Sequence, residues 1–546
     1  MTLIKSISGI RGTIGGTPGD ALTPVDVVKY AAAFGTWIKA RKGKKVIIGR
    51  DARISGELVS SLVSSTLQGL GLDVVDLGLS TTPTVEIAVP REKAGGGIIL
   101  TASHNPIQWN ALKLLNEKGE FISSEDGQEV LNLAAKESFS FAEVLALGSY
   151  TRRDDYIKRH IDLILKHTLV DTKAIRKARF SVVVDAVNST GGIAVPALLQ
   201  ALGVKKIKKL YCEPNGKFPH NPEPLPENIQ AICREVKKGK HDLGIVVDPD
   251  VDRLALVQED GKPFGEEYTL VAVADYVLSR KKGNTVSNLS SSRALRDVTE
   301  KSGGKYTAAA VGEVNVVTAM KETKAVIGGE GNGGIIVPDL HYGRDALIGI
   351  ALFLSHLART GKSASGLRAS YPRYFISKNK IELTPGINVD KVLETVKAKY
   401  AAERINTIDG VKIDFEREKE WVHLRKSNTE PIIRIYDKPP DGRYSTSRQS
   451  LGNLPPGNRL SGSPATGYPA TRQLAIRSPG IRHDFIPLQP CAYTSTMPPP
   501  PLSTRRSLRR CDRSCWRISA TRPPPMPTGA KSARPLNLPG KKSRNY

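Results

Sequence analysis

Gly95-Gly96-Gly97-Ile98-Ile99-Leu100-Thr101-Ala102-Ser103-His104-Asn105-Pro106 reads as a short buried strand running into a turn. Its aliphatic run lacks apolar/polar alternation, the pattern of a strand covered on both faces. The same pattern recurs at Val46-Ile47-Ile48, Val182-Val183-Val184 and Ile245-Val246-Val247, with amphipathic segments such as Leu58 to Leu70 and Val195 to Leu202 between the runs. Strands alternating with helices predict α/β units with mostly parallel sheets. Reactive groups in such sheets lie beyond the carboxyl ends of strands, which makes the residues after each run the candidates.

Four such places carry chemistry. Ser103, beside His104, is a candidate nucleophile for acyl or phosphoryl transfer. Taken alone it reads more readily as an ST-turn or helix cap, and no Gly-x-Ser-x-Gly elbow surrounds it, which disfavours an α/β-hydrolase. After Leu243 to Val247 comes Asp248-Pro249-Asp250-Val251-Asp252-Arg253. Carboxylates at alternate positions of an extended loop project to one side and call for a hard cation. An EF-hand is excluded because Arg253 stands at the sixth position, where that loop needs glycine, and a strand precedes it. Mg²⁺ serving phosphate chemistry is expected, with Arg253 a phosphate-facing guanidinium.

The third place, Gly328-Gly329-Glu330-Gly331-Asn332-Gly333-Gly334, matches a dinucleotide-binding count of glycines. Ile335-Ile336-Val337-Pro338 follows and does not open a helix, so the Rossmann context is missing. Two alternatives stand: a backbone that lets a sugar approach, with Glu330 and Asn332 bonding its hydroxyls, or a plain glycine turn. In the fourth, Arg425-Lys426-Ser427-Asn428-Thr429-Glu430-Pro431 with Arg434 beyond, arginines flank a Ser/Asn/Thr turn. Such donors converge well on a phosphate.

These four elements in this order resemble the α-D-phosphohexomutase superfamily over about residues 1–436, together with Ser8-Gly9-Ile10-Arg11-Gly12 and Asn215-Gly216-Lys217-Phe218-Pro219-His220. The resemblance implies an α/β chain: three related α/β domains with mixed, mostly parallel sheets (1–149, 150–256, 257–369) and a smaller α+β C-terminal domain, incomplete here (370–436). It implies an isomerase that converts hexose 6-phosphate and hexose 1-phosphate through a phosphoserine and a 1,6-bisphosphate intermediate. Ser103 would be the phosphoserine, and Asp248, Asp250 and Asp252 would hold Mg²⁺ together with the Ser103 phosphate. Glu330 and Asn332 would read the sugar. Arg425, Ser427, Asn428, Thr429 and Arg434 would grip the phosphate that is not reacting, and Lys113, Arg11 and His104 match the family's other active-site groups. Hexose 1,6-bisphosphate is the expected activator. The Gly-Glu-Gly-Asn-Gly-Gly loop with Asp-Pro-Asp looks closest to archaeal-type phosphoglucosamine mutases, so glucosamine phosphate is favoured, with phosphomannomutase/phosphoglucomutase activity as runner-up. The match stops near Tyr436, short of the family's closing helical segment, and a loosened Arg425 loop with slow turnover is expected from that loss.

Composition bounds the rest. A chain of 546 residues, 39% hydrophobic and 25% charged, has a globular composition. Its longest apolar run, near Leu347 to Leu354, is far below the roughly 20 residues of a membrane span, and no signal peptide is read, so the cytoplasm is expected. Of the net charge of +26, the segment 437–546 carries +15, from 15 Arg and 4 Lys against 4 Asp and no Glu. That segment also holds 19 of the 36 prolines and no sustained period, which predicts a disordered tail that reads as a reading-frame change or a fused extension. Its densest patch, Arg505, Arg506, Arg509 and Arg510, is the only feature favouring nucleic acid. Five scattered cysteines give no disulfide framework, and Cys511 and Cys515 lack the further ligands of a zinc site. A metal-dependent phosphatase is the alternative enzyme class. A phosphorylated hexose is the expected partner, for a monomer or homodimer.

Overall fold

The computed structural model describes residues 2–6, 9–374, 376–382, 388–417, 420–426, 432–437, 460–461 and 473–476. Ser427, Asn428 and Thr429, the arginines at 505–510, Cys511 and Cys515 lie outside the described residues. Among the described residues no helix is long and apolar enough to cross a membrane.

The first sheet has seven strands in the order Ile4–Ser6, Gly9–Thr13, Trp109–Leu115, Gly96–Leu100, Lys45–Arg50, Asp73–Leu79, Tyr150–Arg152. Lys45–Arg50 is parallel to both its neighbours, whereas Trp109–Leu115 runs antiparallel between Gly96–Leu100 and Gly9–Thr13. Burial on both faces explains the unalternating runs. Val46, Ile48, Ile98 and Leu100 pack with helices Pro24–Ala40 and Gly56–Gly69, while Ile47 and Ile99 pack with Thr82–Arg91 on the opposite face.

Two four-stranded sheets follow. The second is ordered Leu254–Gln258, Leu243–Val247, Ser181–Asp185, Lys206–Leu210, and the third Tyr306–Ala309, Asn284–Asn288, Ala325–Glu330, Gly334–Ile336. Each is parallel except for one antiparallel edge, Leu254–Gln258 or Gly334–Ile336. One apolar core runs through both units: Val184, Ile245 and Leu256 of the second sheet and Ile327 and Ile335 of the third share it with helices Glu266–Arg280 and Ala346–Thr360. Helix Gln230–Gly239 covers the second sheet's other face and Glu313–Thr323 the third's.

Two expected boundaries move. The break after residue 149 detaches Tyr150–Arg152 from the first sheet, where it pairs with Asp73–Leu79. The break after 256 cuts through Leu254–Gln258, which pairs along its whole length with Leu243–Val247. In both cases a strand that completes a sheet falls after the last strand–helix repeat, so local periodicity gives no sign of it.

In the fourth sheet, Arg404–Asn406, Val411–Phe415, Glu420–Lys426, Ile432–Asp437 and Ser377–Glu382 are successive antiparallel neighbours. Helix Val389–Lys399 contributes Val389 and Val396 to its small core with Val411, Ile413, Val422 and Leu424. Two short strands from the expected tail, Gln473–Ile476 and Leu460–Ser461, extend this sheet.

Lys412 joins this unit to the third. Its ammonium donates to the Leu289 carbonyl at 2.8 Å and lies 4.3 Å from the centre of the Trp421 ring. Burial pulls it down to about 8 from the ordinary 10.5. The folded chain therefore binds fewer protons than the unfolded chain between these values, and stability rises with pH across that window. Lys412→Met is expected to remove this rise, measured as urea unfolding at pH 7.5 and pH 10. An unchanged pH dependence would show that Lys412 is not its source.

Candidate active site

The turn after Gly96–Leu100 is held by a chain of buried groups. The Ser103 amide donates to Thr101 Oγ1 at 2.9 Å, and the Thr101 hydroxyl donates to Asp51 Oδ2 at 2.6 Å. Arg53 Nε donates to the same Asp51 oxygen at 3.0 Å. The rest of the Arg53 guanidinium is spent on this turn, donating to the carbonyls of Ser103 (2.6 Å), Asn105 (2.7 Å), Pro106 (2.7 Å) and Trp109 (3.0 Å). Ser103 sits at φ +47°, in the left-handed region that non-glycine residues adopt rarely. Its Oγ donates to Asp248 Oδ2 at 2.8 Å and lies 3.3 Å from His104 Nδ1.

Asp248, Asp250 and Asp252 follow Leu243–Val247 and are fully buried, with one oxygen from each within 4.8 Å of the others. Val251 between them has φ +64°, an outlier for a β-branched residue and the kind of strain found at functional loops. Asp250 Oδ2 accepts from Lys113 Nζ (2.7 Å) and Thr82 Oγ1 (2.6 Å), and Asp252 Oδ2 from Arg344 Nη2 (2.6 Å). Oδ1 of Asp250 and Oδ1 of Asp252 are buried without a hydrogen-bond partner. Orphaned carboxylate oxygens beside a third carboxylate fit a hard divalent cation with oxygen ligands.

Burial, then Asp252 and Asp250, pushes the Asp248 carboxyl well above its usual range. Against the cost of burial, Arg344, Lys113 and Arg253 hold Asp252 below it. Burial also opposes the charge on Lys113, but Asp250 and Asp252 keep its ammonium above the ordinary value. His104 is driven the other way, well below its ordinary value, by burial and by Arg253 and Arg11, so its ring is neutral at pH 7.

One cavity of about 630 Å³ gathers most of the expected residues: Arg11, Ser103, His104, Lys113, Arg253, Glu330, Asn332 and Arg425 all line it. Glu330 ends the strand Ala325–Glu330 and accepts from Asn288 Nδ2 at 2.9 Å, and Asn332 Oδ1 closes its loop by accepting from the Gly334 amide at 3.2 Å. Arg425 pairs with Asp409 at 3.0 Å. Arg434 is the register partner of Arg425 on strand Ile432–Asp437.

Arg344 and Arg53 escaped the sequence reading. Arg344 donates to Glu313 Oε2 (3.0 Å), Glu330 Oε2 (2.8 Å) and Asp252 Oδ2 (2.6 Å), linking the glycine-rich loop to the aspartate loop. It stands in no motif, and only this fold brings its three partners together. Arg53 did carry a signal, because it lies just past the end of the strand Lys45–Arg50, in the zone where the other candidates were found.

Three segments match the phosphoglucomutase/phosphomannomutase alpha/beta/alpha domains: domain I over residues 3–141, domain II over 158–261 and domain III over 265–374. The chain belongs to the α-D-phosphohexomutase superfamily, a family of isomerases. A phosphoglucomutase/phosphomannomutase of Thermococcus kodakarensis is 37% identical over 436 residues, covering 78% of this chain and 94% of that protein. A phosphoglucosamine/phosphogalactosamine mutase of Sulfurisphaera tokodaii is 32% identical over 440 residues, covering 78% and 93%. Among solved structures, a phosphoglucomutase/phosphomannomutase family protein from Burkholderia thailandensis superposes with a TM-score of 0.72 at 26% identity, covering 82% of this chain and 96% of its own.

Proposed function

We propose that the chain interconverts hexose 6-phosphate and hexose 1-phosphate, with glucosamine phosphate preferred, Ser103 as the phosphoryl carrier and hexose 1,6-bisphosphate as both intermediate and activator. The observation that carries this reading is a single cavity lined both by Ser103, bonded to the aspartate cluster, and by Arg425 from the fourth sheet. A phosphatase needs only the first. A mutase must also hold the far phosphate while its intermediate is turned end for end.

In this reading the phosphoryl group leaves Ser103 Oγ for a sugar hydroxyl. The hydroxyl proton passes to the neutral His104 Nδ1 and from there to the serine oxygen, 3.3 Å away. Lys113, Arg11 and Arg253 surround the transferring group with fixed positive charge, the main demand of phosphoryl transfer. Asp248, Asp250 and Asp252 would hold Mg²⁺, which when bound neutralises phosphoryl oxygens as charge spreads over them. Glu330 and Asn332 meet the sugar. Arg425, with Ser427, Asn428, Thr429 and Arg434, takes whichever phosphate is not reacting.

The preference for an amino sugar is supported by Glu267. It lines the cavity and packs so closely against the glycine-rich loop that a Cβ on Gly331 would come 1.9 Å from Glu267 Oε1. A carboxylate there suits a protonated 2-amino group better than a hydroxyl. Glu267→Gln, which can still accept from the Ser292 amide, is expected to lower kcat/KM for glucosamine 6-phosphate about tenfold relative to mannose 6-phosphate, the worth of one charge-assisted bond. An equal fall for both sugars would remove Glu267 from specificity. The relative at 37% identity, named phosphoglucomutase/phosphomannomutase, favours glucose or mannose phosphate as the second reading.

Phosphorus NMR tests the whole proposal, using Mg²⁺, a trace of hexose 1,6-bisphosphate and each 6-phosphate in its own tube. A growing 1-phosphate signal, strongest with glucosamine, is expected. Free inorganic phosphate in place of a 1-phosphate would make the protein a phosphatase.

A further inference from the structure

A second cluster of titratable side chains lies where the first three units meet, and the mechanism does not use it. His160 comes from helix Tyr156–Lys166, and His341 and Asp345 from the loop before helix Ala346–Thr360. All three are buried or nearly so, and their donor atoms fall within 4.8 Å of one another. Asp345 Oδ2 lies 2.9 Å from His160 Nε2 and 3.4 Å from His341 Nε2. We propose that His160 Nε2, His341 Nε2 and Asp345 Oδ2 form a binding site for a zinc-class divalent transition-metal ion, separate from the aspartate loop.

Three observations support the assignment. First, donors at ordinary zinc distances on a tetrahedron are about 3.3 Å apart, so the two nitrogen-to-oxygen separations need only small adjustments.

Second, the outer nitrogens are held as metal-bound imidazoles are held. His160 Nδ1 lies 3.0 Å from Thr84 Oγ1, which is 2.7 Å from Thr81 Oγ1, and His341 Nδ1 lies 3.3 Å from Glu86 Oε2. A hydroxyl or carboxylate on the remote nitrogen fixes ring orientation and raises ligand basicity. The other Asp345 oxygen is occupied by the amides of Leu347 (2.8 Å) and Ile348 (3.3 Å), which aims the carboxylate.

Third, two buried carboxylates flank the His341 ring. The carboxylates of Asp345 and Glu86 are 0% and 1% exposed, and neither Glu86 oxygen has a well-directed hydrogen bond. A divalent ion bound here would replace, beside both carboxylates, the positive charge of a protonated His341. Binding takes any proton off each Nε2 and leaves the Nδ1–H of each ring pointing at its Thr84 or Glu86 partner. A cavity of about 720 Å³ lined by His341, His167 and Asp339 offers an entry path. Two imidazoles also select against Mg²⁺, which prefers oxygen ligands.

Cobalt replaces zinc in such sites and makes them visible. The full chain, stripped with chelator and returned to saturating Mg²⁺, is titrated with Co²⁺. One equivalent is expected to bind with d–d absorption in the visible, and Zn²⁺ to abolish the band in competition. His160→Gln and His341→Gln are expected to lose the band, Asp248→Asn to keep it, and Glu86→Gln to weaken binding about tenfold or more. No band in the wild-type chain overturns the proposal whatever the variants do. A band that survives both histidine substitutions, or one lost in Asp248→Asn, overturns it as well.

Discussion

Ser103→Ala is expected to cut turnover by at least about four orders of magnitude, as removal of a covalent nucleophile does elsewhere, and to abolish phosphate incorporation into the protein. No neighbour can stand in for the lost oxygen. His104 and Asp248 each contact Ser103 Oγ, and among the described residues neither bonds a second hydroxyl. The fold should tolerate the change, since Asp248 Oδ1 keeps its bonds from the amides of Asp252 (3.2 Å) and Arg253 (3.1 Å). The decisive pair of measurements is turnover against thermal midpoint. A variant within tenfold of wild type would place the phosphoryl carrier elsewhere, whereas a variant that no longer folds would show that Ser103 matters first as a structural donor.

Arg53→Met is the second large effect, and it falls on stability as well as rate. The guanidinium is 1% exposed and all its N–H groups are engaged, by Asp51 and by four carbonyls of the Ser103–Trp109 turn. Removing it strands the fully buried Asp51 carboxylate and unties the turn. Breaking a buried pair in this way costs about 3–5 kcal/mol, a large share of the 5–15 kcal/mol typical of a domain. Turnover should fall about a hundredfold or more, because a displacement of about 1 Å at a reacting group has that effect. Arg53→Lys separates the two losses: its ammonium restores the charge beside Asp51 but cannot reach four carbonyls. It is expected to recover stability while staying slow. Urea unfolding and turnover on both variants check this, and a Met variant within 1 kcal/mol of wild type at full rate would contradict it.

The parts of the site that could be read from the chain share one property: they are contiguous and lie at or just past the carboxyl end of a strand. Ser103-His104, the alternating aspartates, Glu330 and Arg425 all announce themselves that way. Arg344 does not, because its work is to bring Asp252, Glu313 and Glu330 together, and nothing local records that these three will meet. The strands Tyr150–Arg152 and Leu254–Gln258 leave no local sign of the sheets they complete for the same reason. Each is defined by a partner far off in sequence, and each follows the strand–helix repeat instead of belonging to it. The α/β class was legible from burial on both faces, since Val46, Ile47 and Ile48 are all wholly enclosed.

The core shared by the second and third sheets sets an order of events on the ribosome. The first unit has its helices and all seven strands once residue 152 has emerged, and it can close around Phe34, Trp37 and Val63 without later help. The second cannot. Val184, Ile245 and Leu256 share their core with helix Gly191–Leu202, already made, and with helix Ala346–Thr360, which is made on the order of ten seconds later at ordinary elongation speeds. Through that interval part of this core stays open, so an interruption of synthesis between the aspartate loop and Ala346 would leave a fragment prone to aggregate and dependent on chaperones.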